Sequence, residues 1–258
     1  MSSVNNSGIN FFYNGFKVIY IGVNPMNQLQ YEYQKMIVKR VIIMKHILCF
    51  GDSNTYGLVP GTEKRYSWDV RWTGIIGEKL SKENYRIIEE GLCGRTTIFD
   101  DPLRAGRRGT ELLPVILETH KPVDAIVIML GTNDCKAHYD ASAQVIGLGI
   151  RKLLGQIKNA VPGAKILLIS PIRLGDDIWD GFDPEFDKKS VETSKHLPEV
   201  YRQIADEEGI GYLAASDYAE PSKADREHLD ENGHRALALA IWSKLQEIII
   251  KKTEAEIL

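Results

Sequence analysis

The sequence predicts an α/β fold, a three-layer sandwich built on a five-stranded parallel sheet of order 2-1-3-4-5. Short apolar runs alternate along the chain with segments of helical periodicity, which implies a sheet covered by helices on both faces. The runs are continuously apolar rather than alternating, as strands buried on both sides are. With 258 residues, 43% of them apolar and 26% charged, the chain can also bury a sizeable core.

The elements follow in order. Lys45–Phe50 (KHILCF) is a buried strand stopped by Gly51. Arg71–Leu80 places Trp72, Ile75, Ile76 and Leu80 at helical spacing. Tyr85–Glu89 reads as the second strand and Thr110–Thr119 as a helix whose first turns Pro114 disturbs. Ala125–Leu130 (AIVIML) is the third strand, and Gln144–Val161 a helix stopped by Pro162-Gly163. Ile166–Ser170 is a strand ended by Pro171. Ser190–Glu208 is a helix that Pro198 is expected to divide, Ile210–Ala214 the last strand, and Asn232–Lys251 a closing amphipathic helix. Between them, Ile172–Lys189 is a long irregular stretch carrying six acidic residues, a length typical of lids and interfaces. In a sheet of this order ligands bind beyond the carboxyl ends of the strands.

Residues 1–43 stand apart. They hold four basic residues and one acid, a net of +3, whereas the whole chain carries 32 basic and 35 acidic residues, a net of −3. They also hold six Asn and seven aromatic residues, and show no sustained period beyond a strand at Lys17–Gly22. Met44 precedes the first convincing strand. The expectation is therefore an N-terminal extension over 1–43 and one working domain over 44–258, the alternative for the extension being an ordered arm packed on a neighbouring subunit.

Composition excludes several classes. Three cysteines (Cys49, Cys93, Cys135) make no disulfide framework, and they read as small buried residues near strand ends. There is no apolar run of membrane-spanning length, no signal-peptide pattern and no basic footprint. The expectation is a cytoplasmic protein with no membrane or nucleic-acid partner. No P-loop, HExxH or paired-Cys motif is present, and Gly147-Leu148-Gly149 has Lys152 where a dinucleotide fingerprint needs a glycine, so neither metal nor cofactor is expected.

Four strand ends collect reactive residue types. The first strand runs into Gly51-Asp52-Ser53-Asn54-Thr55, which exposes a serine at the sheet edge or merely caps a turn. The second leads into Gly91-Leu92-Cys93-Gly94-Arg95, where Gly94 lets the backbone approach a ligand or simply makes a turn. The third ends in Gly131-Thr132-Asn133-Asp134, offering an amide donor or an Asx turn. The last is followed by Asp225-Arg226-Glu227-His228. A carboxylate three residues before a histidine can bond Nδ1–H and leave Nε2 as a base, or both can be solvated loop residues.

In this order the blocks GDSNTYG, GLCGRTT, GTND and DREH resemble the SGNH hydrolases, also called the GDSL esterase/lipase family, over essentially all of 44–258. The strings VRWTG, EEGLCGRTT, DDP and IMLGTNDCKAHY are similar to its arylesterase/acyltransferase-like subgroup. The resemblance implies a serine esterase acting on small-molecule esters of short acyl groups, with acyl-transfer or perhydrolase side activity, and a homo-oligomer. Ser53 would be the nucleophile, His228 the base and Asp225 its orienting partner. The N–H groups of Ser53 and Gly94, with the Asn133 side chain, would form the oxyanion hole. Tyr56, Trp179 and Phe182 would line the entrance, with Trp72 read as core. Asn54 stands where the family motif has Leu, and Cys93 and Cys135 flank blocks that usually carry other residues, which bears on substrate fit. His234 reads as a cap or packing residue, and Arg71 and Arg95 as binders of a carboxylate or phosphate or, the preferred reading, as surface or interface ion-pair partners.

Alternative readings are a carbohydrate acetylesterase and, outside enzymes, a non-catalytic carbohydrate-binding protein on the same fold. A metal-dependent phosphoesterase would need histidines that GTND lacks, and an α/β-hydrolase elbow would need a glycine where Thr55 stands.

Overall fold

The computed structural model describes residues 9–13, 16–20 and 44–250. Two strands near the N-terminus, β1 (Ile9–Tyr13) and β2 (Phe16–Tyr20), pair antiparallel with Phe11 opposite Val18. The strand expected at 17–22 thus starts one residue earlier, and β1 forms where no alternation signals it. Most of the 1–43 extension, and the end of the helix expected to reach Lys251, lie outside the described residues.

The main sheet contains β3 (Lys45–Gly51), β4 (Tyr85–Gly91), β5 (Ala125–Met129), β6 (Lys165–Ser170) and β7 (Gly211–Ala214). All neighbours are parallel and the order is β4-β3-β5-β6-β7, which is 2-1-3-4-5 counted from β3. The helices are α1 (Ser53–Tyr56), α2 (Trp72–Ser81), α3 (Gly109–His120), α4 (Ala143–Ala160), α5 (Lys188–Glu208) and α6 (Glu231–Leu245).

Successive side chains of a strand point to opposite faces, and the apolar runs divide accordingly. Leu48, Phe50, Ile126, Ile128 and Leu168 meet α3, α4 and α5. Ile47, Cys49, Val127, Met129 and Ile169 meet Trp72, Ile76 and Leu80 of α2 and Leu237, Ile241 and Leu245 of α6. Each such large side chain contributes about 1.5–3 kcal/mol when fully buried. Trp72 is therefore core, as expected, and its indole Nε1 donates to the Asn54 carbonyl at 3.1 Å.

Caps set the helix starts within a residue or two of expectation. Ser142 accepts from Val145 N–H to open α4, Asp187 and Ser190 form a reciprocal capping box on α5, and Asp230 accepts from Gly233 N–H to open α6. The two internal prolines do not divide their helices. Pro114 leaves the Thr110 carbonyl of α3 without its usual N–H donor, and Gln156 Nε2 of α4 supplies one at 2.7 Å. Contrary to expectation, α5 runs unbroken through Pro198. A mid-helix proline costs about 3 kcal/mol, and the buried face of Val191, Leu197, Tyr201 and Ile204 outweighs it. Helix α6 spans Glu231–Leu245 and passes into one π-type turn at Gln246–Ile250.

Residues 172–187 contain no regular helix or strand but are tied down: Ala137 N–H donates to Glu185 O, and Gly175 N–H to Arg226 O, each at 2.8 Å. Among the described residues no helix is long and apolar enough to cross a membrane.

Candidate active site

At the end of β3 the chain turns sharply into α1. Asp52 caps that short helix by accepting Asn54 N–H at 3.0 Å, and Gly57 ends it in a left-handed conformation. This sets Ser53 on the first helical residue, at the carboxyl edge of the sheet. The turn lies so close to β4 that a Cβ on Gly91 would stand 2.1 Å from the Tyr56 nitrogen, so only glycine fits there.

The histidine arrives from the other end of the chain. Between β7 and α6, Asp225–His228 forms a tight turn with Arg226 at φ 67°. Arg226 is held by its guanidinium, whose Nη2 donates to Asp177 Oδ2 at 3.0 Å. In this turn Asp225 Oδ1 accepts the N–H groups of Glu227 (3.1 Å) and His228 (3.0 Å). Asp225 Oδ2 accepts Gly61 N–H and pairs with His228 Nδ1, both at 2.8 Å. His228 Nε2 lies 2.8 Å from Ser53 Oγ. The three residues expected to work together are thus brought into one hydrogen-bonded chain, with Ser53 and His228 both largely buried.

The electrostatics fit this chain. Burial pushes the Asp225 carboxyl up, but the His228 ring and the two N–H donors outweigh it and hold the group at about 2. Asp225 is therefore ionised and keeps the proton on Nδ1. Burial lowers the basicity of His228, while the Glu227 and Asp225 carboxylates more than reverse this and raise it to about 9.

Asn54, the departure from the family motif, has a structural task. Its Oδ1 accepts Leu229 N–H at 2.9 Å and its Nδ2 donates to Glu227 O at 3.3 Å. One amide therefore clasps the backbone on both sides of His228 and ties it to the serine turn. No periodicity or motif signals this, because its partner lies 175 positions away.

The oxyanion donors come from the two neighbouring strand ends. Gly94 has φ 80°, a conformation that favours glycine, and a Cβ there would fall 2.7 Å from the Arg104 guanidinium carbon. Neither Ser53 N–H nor Gly94 N–H donates to another protein group among the described residues. Asn133 spends one amide hydrogen on Arg95 O at 3.2 Å, leaving the other free to meet a ligand. Its neighbour Asp134 accepts Thr97 N–H at 2.9 Å and Thr97 Oγ1 at 2.5 Å, fixing the Gly94 loop against the end of β5. Burial lifts the Asp134 carboxyl to about 6 despite these bonds.

The remaining candidates sort as follows. Tyr56 lies under the Arg65 guanidinium at 4.2 Å, Trp179 faces Lys188 Nζ at 5.7 Å, and Phe182, 39% exposed, faces the Arg226 guanidinium at 5.0 Å. Their ring partners are the cations Arg65, Lys188 and Arg226 rather than Ser53 or His228. Arg95 corrects the expectation of a surface ion pair. It is buried against Phe50, and its Nη1 donates to Gly51 O at 2.8 Å and to Glu90 O, so it holds β3 and β4 at the site's floor. Arg71 makes an ion pair with Glu89 at 3.0 Å, within its own chain. His234 is fully buried and packs edge-on against Tyr66. Its Nδ1 accepts Trp72 N–H at 3.4 Å, at the start of α2, where Arg71 provides no side-chain cap. Cys49 and Cys135 are buried and their thiols are pushed far up by burial, whereas Cys93 is only half-buried. Among the described residues no cluster of His, Cys, Asp and Glu could hold a metal ion.

The chain is similar to known proteins over most of its length. The profile of the GDSL-like lipase/acylhydrolase family matches residues 49–236. No match was found among curated proteins. A solved structure 44% identical superposes with a TM-score of 0.75, over 80% of this chain and 98% of its own. Est24, a carbohydrate acetylesterase from Sinorhizobium meliloti, is 36% identical with a TM-score of 0.74, over 79% of this chain and 99% of its own. The aryl esterase of M. smegmatis in its inhibitor-bound form is 33% identical with a TM-score of 0.74, over 80% of this chain and 100% of its own.

Proposed function

Because the chain belongs to the GDSL-like lipase/acylhydrolase family, we propose that it is a serine esterase that cleaves small acyl esters through an acyl-enzyme. The observation that carries this reading is the bonded chain Asp225–His228–Ser53, with 2.8 Å at each link. In the neutral state Asp225 holds the proton on Nδ1, so Nε2 can take the Ser53 proton as Oγ forms its bond to the ester carbonyl carbon. The carbonyl oxygen then carries the negative charge, beside the N–H groups of Ser53 and Gly94 and the free hydrogen of the Asn133 amide. Collapse breaks the bond to the alcohol oxygen, and the proton on Nε2 leaves with the alcohol. Water repeats the steps in the second half and releases the acid; an alcohol or peroxide in its place would give acyl transfer or a peracid.

Residues 44–258 form the working domain in this reading, in the cytoplasm and as a homo-oligomer. A carbohydrate acetylesterase is the second reading, supported by the likeness to Est24. A purely carbohydrate-binding role would have no use for an ionised Asp225 aligned on His228. The test is hydrolysis of p-nitrophenyl acetate in the presence of EDTA, with labelling by a serine-directed phosphonate. Wild type is expected to turn over and to be labelled, and Ser53→Ala to lose both. Normal turnover in Ser53→Ala would end the assignment.

A further inference from the structure

Glu227 is the residue of the histidine turn for which the chemistry above has no use. Its backbone is engaged, N–H with Asp225 and carbonyl with Asn54. Its carboxylate is not. The side chain is only 10% exposed, accepts no hydrogen bond from any described residue, and places Oε2 3.8 Å from His228 Nε2. That nitrogen is the one that faces Ser53 Oγ.

Among the described residues the cation beside this carboxylate is His228 itself when protonated, and the neutral ring that starts the reaction leaves it uncompensated. Lys136 Nζ is bound by Glu185 at 2.8 Å and lies 3.7 Å from Asp101. Burial, the largest cause, and the like charges of Asp183 and Asp225 push its carboxyl up against the opposing pull of His228 and Lys136. A buried acid without a donor is costly unless a ligand supplies one. The ligand that passes this point is fixed by the reaction. The leaving oxygen must come within about 3 Å of Nε2 to collect its proton, which sets the alcohol portion of the ester alongside Glu227.

Resting on the esterase reading above, we infer that Glu227 is a specificity-determining residue whose carboxylate receives a hydrogen bond from the leaving alcohol. The preferred esters are then those whose alcohol bears a hydroxyl or ammonium group on the carbon next to the ester-bearing one. Plain alkyl esters leave the acid unpaired, and esters of anionic alcohols meet like charge.

Two pairs of isosteric acetates test this at pH 7 with the full chain. 2-Hydroxyethyl acetate is set against propyl acetate, and 2-(dimethylamino)ethyl acetate against 3-methylbutyl acetate. In each pair the donor-bearing ester is expected to show a kcat/KM roughly tenfold higher or more, the worth of a hydrogen bond to a charged acceptor. Glu227→Leu is expected to bring both ratios near one. Glu227→Gln, which keeps an acceptor oxygen without charge, is expected to retain the hydroxyl preference and lose the ammonium preference. A structural role would lower both members of a pair equally and leave the ratios unchanged. Wild-type ratios near one, or equal ratios in wild type and Glu227→Leu, would overturn the inference while turnover of p-nitrophenyl acetate keeps the esterase reading intact. An enzyme inert on every ester, p-nitrophenyl acetate included, would remove both.

Discussion

Replacing Asn54 by Leu, the residue of the family motif, would cut the clasp that joins the serine turn to the histidine turn. The two side chains are similar in size, so the packing change is small and the loss is polar. Leu229 N–H and Glu227 O would each lose a partner, in surroundings where Leu229 is 0% and Glu227 8% exposed. An abandoned buried donor or acceptor costs about 1–3 kcal/mol, so the pair amounts to roughly 2–6 kcal/mol. A domain with about 5–15 kcal/mol of stability survives this, and the variant is expected to fold with a Tm lower by several degrees. The kinetic effect should exceed the thermal one in diagnostic value. With the backbone of His228 released, Nε2 no longer holds its 2.8 Å approach to Ser53 Oγ, and a misplacement near 1 Å can cost about a hundredfold. Calorimetry and p-nitrophenyl acetate kinetics on the same preparation measure both. The expected result is a kcat at least tenfold lower with KM little changed. A variant with wild-type Tm and wild-type kcat would refute the clasp.

Two further perturbations have defined signs. Asn133→Ala removes an oxyanion donor and is expected to lower kcat by about 10²–10³, while its lost bond to Arg95 O costs only about 1 kcal/mol of stability; a kcat within threefold of wild type would exclude Asn133 from the oxyanion site. His234 is held down to about 4, chiefly by burial, so the folded protein keeps it neutral while the unfolded chain protonates it near 6.5. Its contribution to stability is complete above pH 6.5 and is lost as pH falls through 4, roughly 3 kcal/mol in all. His234→Gln is destabilised at pH 7, and its Tm gap to wild type is expected to narrow steadily between pH 6.5 and 4. A gap independent of pH would refute the burial of a neutral imidazole.

Strands and motif blocks were legible because their signals are local. A run such as Ala125–Met129 is apolar at every position because both faces of a central strand are covered, and that shows without knowing the neighbours. The blocks were legible together, since all four follow strands whose carboxyl ends lie at one edge of a parallel sheet. What escaped depends on partners distant in sequence. Arg95 looks like any surface arginine until two backbone carbonyls and the Phe50 ring are folded around it. Pro198 reads as a helix break because propensity counts the lost bond and not the buried face behind it. Glu227 looks like a solvated acid until burial and its distance to His228 are known.

The 175 positions separating Ser53 from His228 also carry a meaning in time. Synthesis delivers Ser53 early, with the first strand of the sheet, and His228, its base in the proposed reaction, only after the last strand has been made. A nascent chain paused anywhere before Asp225 holds a serine with no group to deprotonate it. Ester cleavage would therefore report synthesis through the histidine turn, and its first appearance during translation would date the docking of that turn on a sheet already formed.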